Sequence, residues 1–376
     1  MNTLPLIRLR SAVLAAALAS SLAGALGGCT SAPSSGVPMA SAAPLAPLAS
    51  GTGFVYSANE GEDSISRIDL ATGQVMTLPL PVTPHNVQIS RDGRRLFAVG
   101  TRAGQMKMAA PPTAAGGDAH APAKEPGGLV IFDATAANAA SATFVAVGRA
   151  PAHVIVDARG ERAYVSNAED DAVSVVDAAR GSVVDRIPTA ASPHGLRMSP
   201  DGREIYVAAT KGNAVSVIDV ATSKAVAGIP VGRAPVQVGF TPDGTRVYVS
   251  LRDDNAVAVV DTRTRRLITT IPVGRSPIQV FASPDGNFVY VANQGTEREP
   301  DNTVSVIDTR RNVVVKTLTT DRGAHGVVVS DDGSRVFIAN TFAGTVSTID
   351  AATQRVMGSV RVGSGPGGIT YRPASR

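Results

Sequence analysis

The sequence predicts an all-β fold, a seven-bladed β-propeller with four antiparallel strands in each blade. Three observations lead there. Pro151, Pro193, Pro235 and Pro277 recur at intervals of 42 residues. Each interval holds four short runs rich in Val, Ile and Tyr, separated by turn residues. The first copy lacks its opening run, and the chain ends in one such run. A period of about 42 with four strands per unit is the signature of a propeller.

Within a repeat, strand A precedes an Asp-Gly turn, as in Val236 to Thr241. Strand B is Tyr-Val-rich, as in Arg246 to Ser250. Strand C is Val-Ser-Val-Ile-Asp, as in Val215 to Asp219. Strand D runs into Pro-Val-Gly, as in Lys224 to Val231. The Asp-Gly pairs beginning at 201, 243 and 285 suit tight A–B turns, because Gly accepts positive φ. Asp69, Asp133, Asp177, Asp219, Asp261, Asp308 and Asp350 close strand C and read as turn formers, bonding the backbone that follows. Strand C is apolar at nearly every position, which implies cover on both faces.

Strand A starts fall at Pro84, Pro151, Pro193, Pro235, Pro277, Ala324 and Pro366. The last is followed by a single strand. The first unit, from Phe54, has strands B, C and D only. The C-terminal strand is therefore expected to complete the first blade and close the ring by backbone hydrogen bonds.

The N-terminus is read as an address. Arg8 and Arg10 precede an apolar run, Ala12 to Leu26, too short to span a bilayer comfortably. Leu26-Gly27-Gly28-Cys29 resembles the lipobox of bacterial lipoproteins, which implies a signal peptide over 1–28 and lipidation of Cys29. Residues 29–50, rich in Ala, Pro and Ser, read as a tether, and residues 51–376 as the propeller. Cys29 is the only cysteine of the 376 residues, so the folded part has no thiolate or disulfide chemistry. By analogy with lipoprotein sorting, Thr30 after the cysteine favours the outer membrane, on its periplasmic side. Without Arg8 and Arg10 the formal charge falls from +4 to +2, too mild to argue for nucleic acid. There is no Trp, so the core rests on Val, Ile, Leu and Ala.

Tyr290-Val291-Ala292-Asn293, with Ser-Pro-Asp-Gly before it and Val-Ser-Val-Ile-Asp after it, resembles the YVTN-repeat, YncE-like β-propellers. The resemblance covers residues 51 to 376 and is specific for fold, weak for function. It implies that strand A lines the channel and that the D–A and B–C connections share one face, here called the top. Propellers of this kind include lactonases and lyases with a His near the mouth, and DNA binding has been proposed within the family. The copper-cluster propeller of nitrous-oxide reductase needs more histidines than this chain offers. No Cys-x-x-Cys-His segment supports haem as in nitrite reductase.

Read by register, the strand A starts supply the candidate site. Two positions before the proline stand Arg149, Arg233 and Arg275, with Arg322 in the same register. One position after it stand His85, His194 and His325; two after it stand His153, Gln237 and Gln279. Such a band suits an anion, which Arg and His neutralise with directed hydrogen bonds. The structural alternative is strong: the B–C loops hold Glu60, Glu62, Asp63, Glu169, Asp170, Asp171, Asp253, Asp254, Glu297, Glu299 and Asp301, and ion pairs with them account for the Arg residues. The four histidines belong to blades 2, 3, 4 and 7 and are expected to be spread around the channel. Zinc or copper needs three or four ligands within about 2.0–2.3 Å of one point. No metal and no cofactor is therefore expected.

The B–C loop of blade 2 lengthens to Thr101–Gly127 and that of blade 6 gains Gly295 to Asp301. Met106, Met108 and His120 fall short of a copper site. No nucleophile elbow, zinc-protease or phosphate-loop motif is present. The expected function is an envelope-anchored binding scaffold taking a protein, peptide or anionic ligand on the top face. The alternative is a lactonase-like hydrolase or lyase with His194 or His325 as base and Arg233 or Arg275 as oxyanion partner.

Overall fold

A computed structural model describes residues 50–103, 125–136 and 138–374. The leader, Cys29, the tether and residues 104–124 of the blade 2 loop, with Met106, Met108 and His120, lie outside the described residues. Twenty-eight strands, numbered β1–β28 in chain order, form seven four-stranded antiparallel sheets. These are the expected blades.

The ring closes as the repeat count requires. β28 (Pro366–Arg372) pairs with β1 (Phe54–Asn59), and β2 (Ser64–Asp69) and β3 (Val75–Pro79) complete that blade. Phe54 lies opposite Arg372 and Ser57 opposite Ile369. Gly53 admits this approach: its φ is 95°, and a Cβ there would stand 2.3 Å from the Arg372 carbonyl oxygen. Ser50 already belongs to the propeller, since its N–H donates to the Leu70 carbonyl at 2.8 Å.

Strand C is buried on both faces, as its composition demands; in Ala172–Asp177 only the terminal Asp retains partial exposure. Between blades lie the largest buried side chains. Tyr56, Phe97, Tyr164, Tyr206, Tyr248, Tyr290 and Phe337 occupy one position of strand B in all seven blades, each at most 4% exposed. Burial pushes the Tyr206 and Tyr290 hydroxyls up to about 12.

The turns are built by aspartates. In the A–B turn after Met198, Asp201 accepts from the Ser199 hydroxyl at 2.7 Å and from the Arg203 N–H at 3.1 Å, while Gly202 sits at φ 74°. Asp92, Asp243 and Asp332 repeat this arrangement with Ser90, Thr241 and Ser330. In the C–D turns, Asp219 accepts from the Thr222 hydroxyl and N–H, and Asp261 from those of Thr264.

These bonds, hydroxyl donors first, hold the carboxyls of Asp92, Asp201, Asp243, Asp332, Asp219 and Asp261 below their ordinary value. A carboxyl depressed in the folded state stabilises the fold above its unfolded pKa of about 3.9, and that contribution is lost as pH falls through the folded values. The melting temperature is therefore expected to be flat from neutrality to about pH 5 and to fall steeply below about pH 4. The double variant Asp201→Asn, Asp243→Asn should melt lower at pH 7 and show a shallower acid slope. Equal slopes in the two proteins would refute this account.

Candidate functional site

Strand A of each blade faces the axis and positions the candidate residues. β4 (Val82–Ile89) carries His85, β8 (Pro151–Val156) His153, β12 (Pro193–Met198) His194 and β24 (Ala324–Val329) His325. All four histidines are buried, at 1–8% exposure. The expectation that they spread around the channel is corrected by the structure, because the axis is narrow. The ring of His85 lies 5.5 Å from His153, 5.1 Å from His194 and 6.3 Å from His325. His153 and His194 stand 4.9 Å apart. Small residues make room: at the His153 position, strands A of blades 4, 7 and 1 carry Gly195, Gly326 and Gly368. A Cβ on Gly195 would stand 2.4 Å from Gln237 Oε1.

Each ring is oriented by a second group. His85 Nδ1 lies 3.1 Å from Glu60 Oε1. His194 Nδ1 donates to the Val236 carbonyl at 3.2 Å. Nδ1 of His153 faces the Gln237 amide nitrogen at 3.4 Å, and Nδ1 of His325 faces that of Gln294 at 3.0 Å. Between two of the rings, Nε2 of His85 and Nε2 of His194 stand 3.3 Å apart. His153 Nε2 is buried without a hydrogen-bond partner. Burial foremost, then its neighbours His194, His85 and Arg197, holds His153 well below its usual pKa, so it is neutral at pH 7.

Gln237 and Gln279 act as amide staples in and between strands A. Gln237 Oε1 accepts from the Val238 N–H at 2.9 Å. Gln279 Oε1 accepts from the Val327 N–H of the next blade at 3.2 Å, leaving its buried Nε2 without a partner.

The arginines behave otherwise than the anion-binding reading expected. Arg149, Arg233 and Arg275 do not turn to the axis. Each clamps the B–C loop of its own blade. Arg149 Nε donates to Asp170 Oδ1 at 2.7 Å, and its guanidinium also reaches the Glu169 carbonyl. Arg233 repeats this with Asp254 at 2.6 Å and the Asp253 carbonyl. Arg275 donates to Glu299 at 3.2 Å and to the Pro300 carbonyl. The blade 6 insertion is itself a hairpin extension, with Gly295 opposite Pro300. Arg322 is exposed and makes no ion pair among the described residues. The physical reason is proximity: the acidic loop lies nearer each guanidinium than the axis does, and its carboxylate offers two oxygens. The lactonase-like pairing of His194 with Arg233 or Arg275 is accordingly not assembled.

One channel residue escaped the sequence reading. Arg197 is three residues beyond His194 on β12, roughly 10 Å further along the axis. Its guanidinium reaches across to blade 6, 5.9 Å from the Phe281 ring centroid. It has no carboxylate partner among the described residues; its one hydrogen bond is a long 3.4 Å contact to the Leu196 carbonyl. Loss of water at this depth pushes it down to about 10, still protonated at pH 7. The signal was present in the repeat. The same column holds Gln88, Ile155, Gly239, Phe281, Val328 and Thr370, with Arg197 its single charge.

Fold and axis together define a class: a seven-bladed propeller whose channel is polar, histidine-rich and net cationic at its centre. Residues 237–374 match the family model described as YNCE-like beta-propeller. Residues 134–288 also match the Cytochrome D1 heme domain. A haem does not fit this axis at the histidine level, because four imidazoles with centroids 4.9–6.3 Å apart leave no space for a macrocycle. No curated protein matches the chain. Similar solved structures include hydrazine synthase of Kuenenia stuttgartiensis, 21% identical over 78% of this chain and 96% of that one, with TM-score 0.62. A functionally unknown protein of Desulfotomaculum acetoxidans is 16% identical, covers 86% of this chain and 100% of its own, and has TM-score 0.68. A putative 6-phosphogluconolactonase of Bacteroides fragilis is 14% identical over 85% and 98%, with TM-score 0.63. At these identities the likeness is one of fold.

Proposed function

We propose that the protein is a non-enzymatic binding propeller of the bacterial envelope, held to the membrane by a lipid on Cys29. Its ligand is a small carboxylate- or phosphate-bearing molecule seated in the axial channel. The observation that carries this reading is Arg197, a cation deep in the channel with no carboxylate beside it. Arg197 is half-buried, so its charge has lost part of its water yet stays open to the channel, and an anion supplies the counter-charge the chain does not. The Gln279 amide nitrogen, also buried without a partner, offers a further donor.

Chelator-stripped protein is to be melted with a panel of phosphates and dicarboxylates. At a ligand concentration 100-fold above Kd the fold gains about 2.7 kcal/mol, readily seen as a raised melting temperature. Arg197→Met should bind the same ligand at least about tenfold more weakly, the size of a lost charged hydrogen bond. It should also melt no lower than wild type without ligand, because it removes an uncompensated charge. The triple variant Arg149→Ala, Arg233→Ala, Arg275→Ala should keep the affinity. Loss of binding in the triple variant but not in Arg197→Met would move the site to the rim and end this reading, as would a panel without effect.

A further inference from the structure

We propose that His85, His194 and His153 form a binding site for one divalent transition-metal ion of the zinc or copper class. The inference goes beyond the anion reading and does not depend on it. It begins with a proton count. His194 Nδ1 faces a backbone carbonyl, which only accepts, so that nitrogen carries the hydrogen and Nε2 carries a lone pair. His85 Nδ1 faces the Glu60 carboxylate and is likewise the donor, leaving a lone pair on its Nε2. Two lone pairs thus point at each other across 3.3 Å, in a buried place. Two neutral imidazoles so arranged repel. Something positive belongs between them, either a proton or a metal ion.

The geometry favours the ion. Two nitrogens on a tetrahedral ion with bonds of about 2.0–2.1 Å stand about 3.3–3.4 Å apart. A third donor is in place: ring nitrogens of His85, His153 and His194 all lie within 4.8 Å of one another. His153 Nε2 has no other partner. Three neutral imidazoles suit zinc or copper and disfavour magnesium or calcium, which prefer oxygen. The outer contacts are those metal-bound histidines use: a carboxylate behind one ring, a backbone carbonyl behind another. For His153 to ligate through Nε2 its Nδ1 must carry the hydrogen, so Gln237, whose amide nitrogen stands 3.4 Å away, has to turn its oxygen from the Val238 N–H toward that nitrogen.

The test uses the full chain in detergent, stripped with chelator, then titrated with zinc(II) or copper(II) under equilibrium dialysis. One ion per chain is expected. Copper(II) EPR should show nitrogen hyperfine structure from at least two imidazoles, a readout that needs no variant. His85→Gln and His194→Gln should each weaken the affinity by about 100-fold or more, and Glu60→Gln by about 10–100-fold as the positioning group. Arg149→Ala, whose guanidinium pairs with Asp170 in the B–C loop, should change nothing. Binding that survives both His85→Gln and His194→Gln, an EPR spectrum without nitrogen structure, or no uptake at all would overturn the proposal. The last result assigns a shared proton to the pair. The anion assay runs on stripped protein, so failure of either test leaves the other intact.

Discussion

Deleting residues 364–376 should abolish the cooperative unfolding transition and turn the protein into an associating species. The strand lost is the inner strand of blade 1, although it lies at the far end of the chain. Without β28, the inner edge of β1 loses the ladder that pairs Phe54 with Arg372 and Tyr56 with Thr370. Ile369, 5% exposed, leaves the core. Burying such a side chain is worth about 1.5–3 kcal/mol. Tyr371 no longer stacks on Phe337 of blade 7, 6.0 Å away. The sum is a large part of the 5–15 kcal/mol that holds an ordinary domain. The bared edge is a template for pairing with another chain. Size-exclusion chromatography and thermal circular dichroism report both effects. A circular permutant that begins at Gly365, runs through a short linker into Gly51 and ends at Ser364 should restore the transition, because the ladder and not the chain order matters. A truncated monomer with an unchanged melting curve would show that the ring does not depend on this closure.

The second large effect is expected at the strand B aromatics. Tyr248 is fully buried between blades 5 and 6, and its hydroxyl donates to Asn312 at 2.9 Å. Its replacement by alanine leaves a cavity that packed sheets cannot collapse into, costing about 3–5 kcal/mol. Tyr248→Phe keeps the ring and forfeits one hydrogen bond, costing about 0.5–1.5 kcal/mol. Val184→Ala, on an outer strand and 46% exposed, should stay within about 0.5 kcal/mol of wild type. Urea denaturation ranks the three. If Tyr248→Ala proves no worse than Val184→Ala, the interface between blades is not where the stability resides.

Particular residues show how far sequence reasoning reached. The blade count and the closing strand were legible because Pro151, Pro193, Pro235 and Pro277 repeat one chemistry, and a repeat unit buries its faces only against copies of itself. The seven strand C aspartates were legible as turn formers because their partners lie two or three residues away. The rim arginines were placed in the correct register, with two partners open to them. Their choice of Asp170, Asp254 and Glu299 depends on loop geometry that register does not carry.

The sequence by itself determined the number of blades, the strand that closes them and the column in which every channel residue stands. These are periodic properties, set by local pattern. The tertiary structure decided how wide the axis is, and therefore that histidines up to 240 residues apart in sequence come to lie ring against ring. It also decided that Arg197 faces Phe281 without a counter-charge while Arg149, Arg233 and Arg275 found theirs. The physical reason is that distances across an axis depend on how every blade packs against its neighbours, a sum over the whole ring that no single repeat contains.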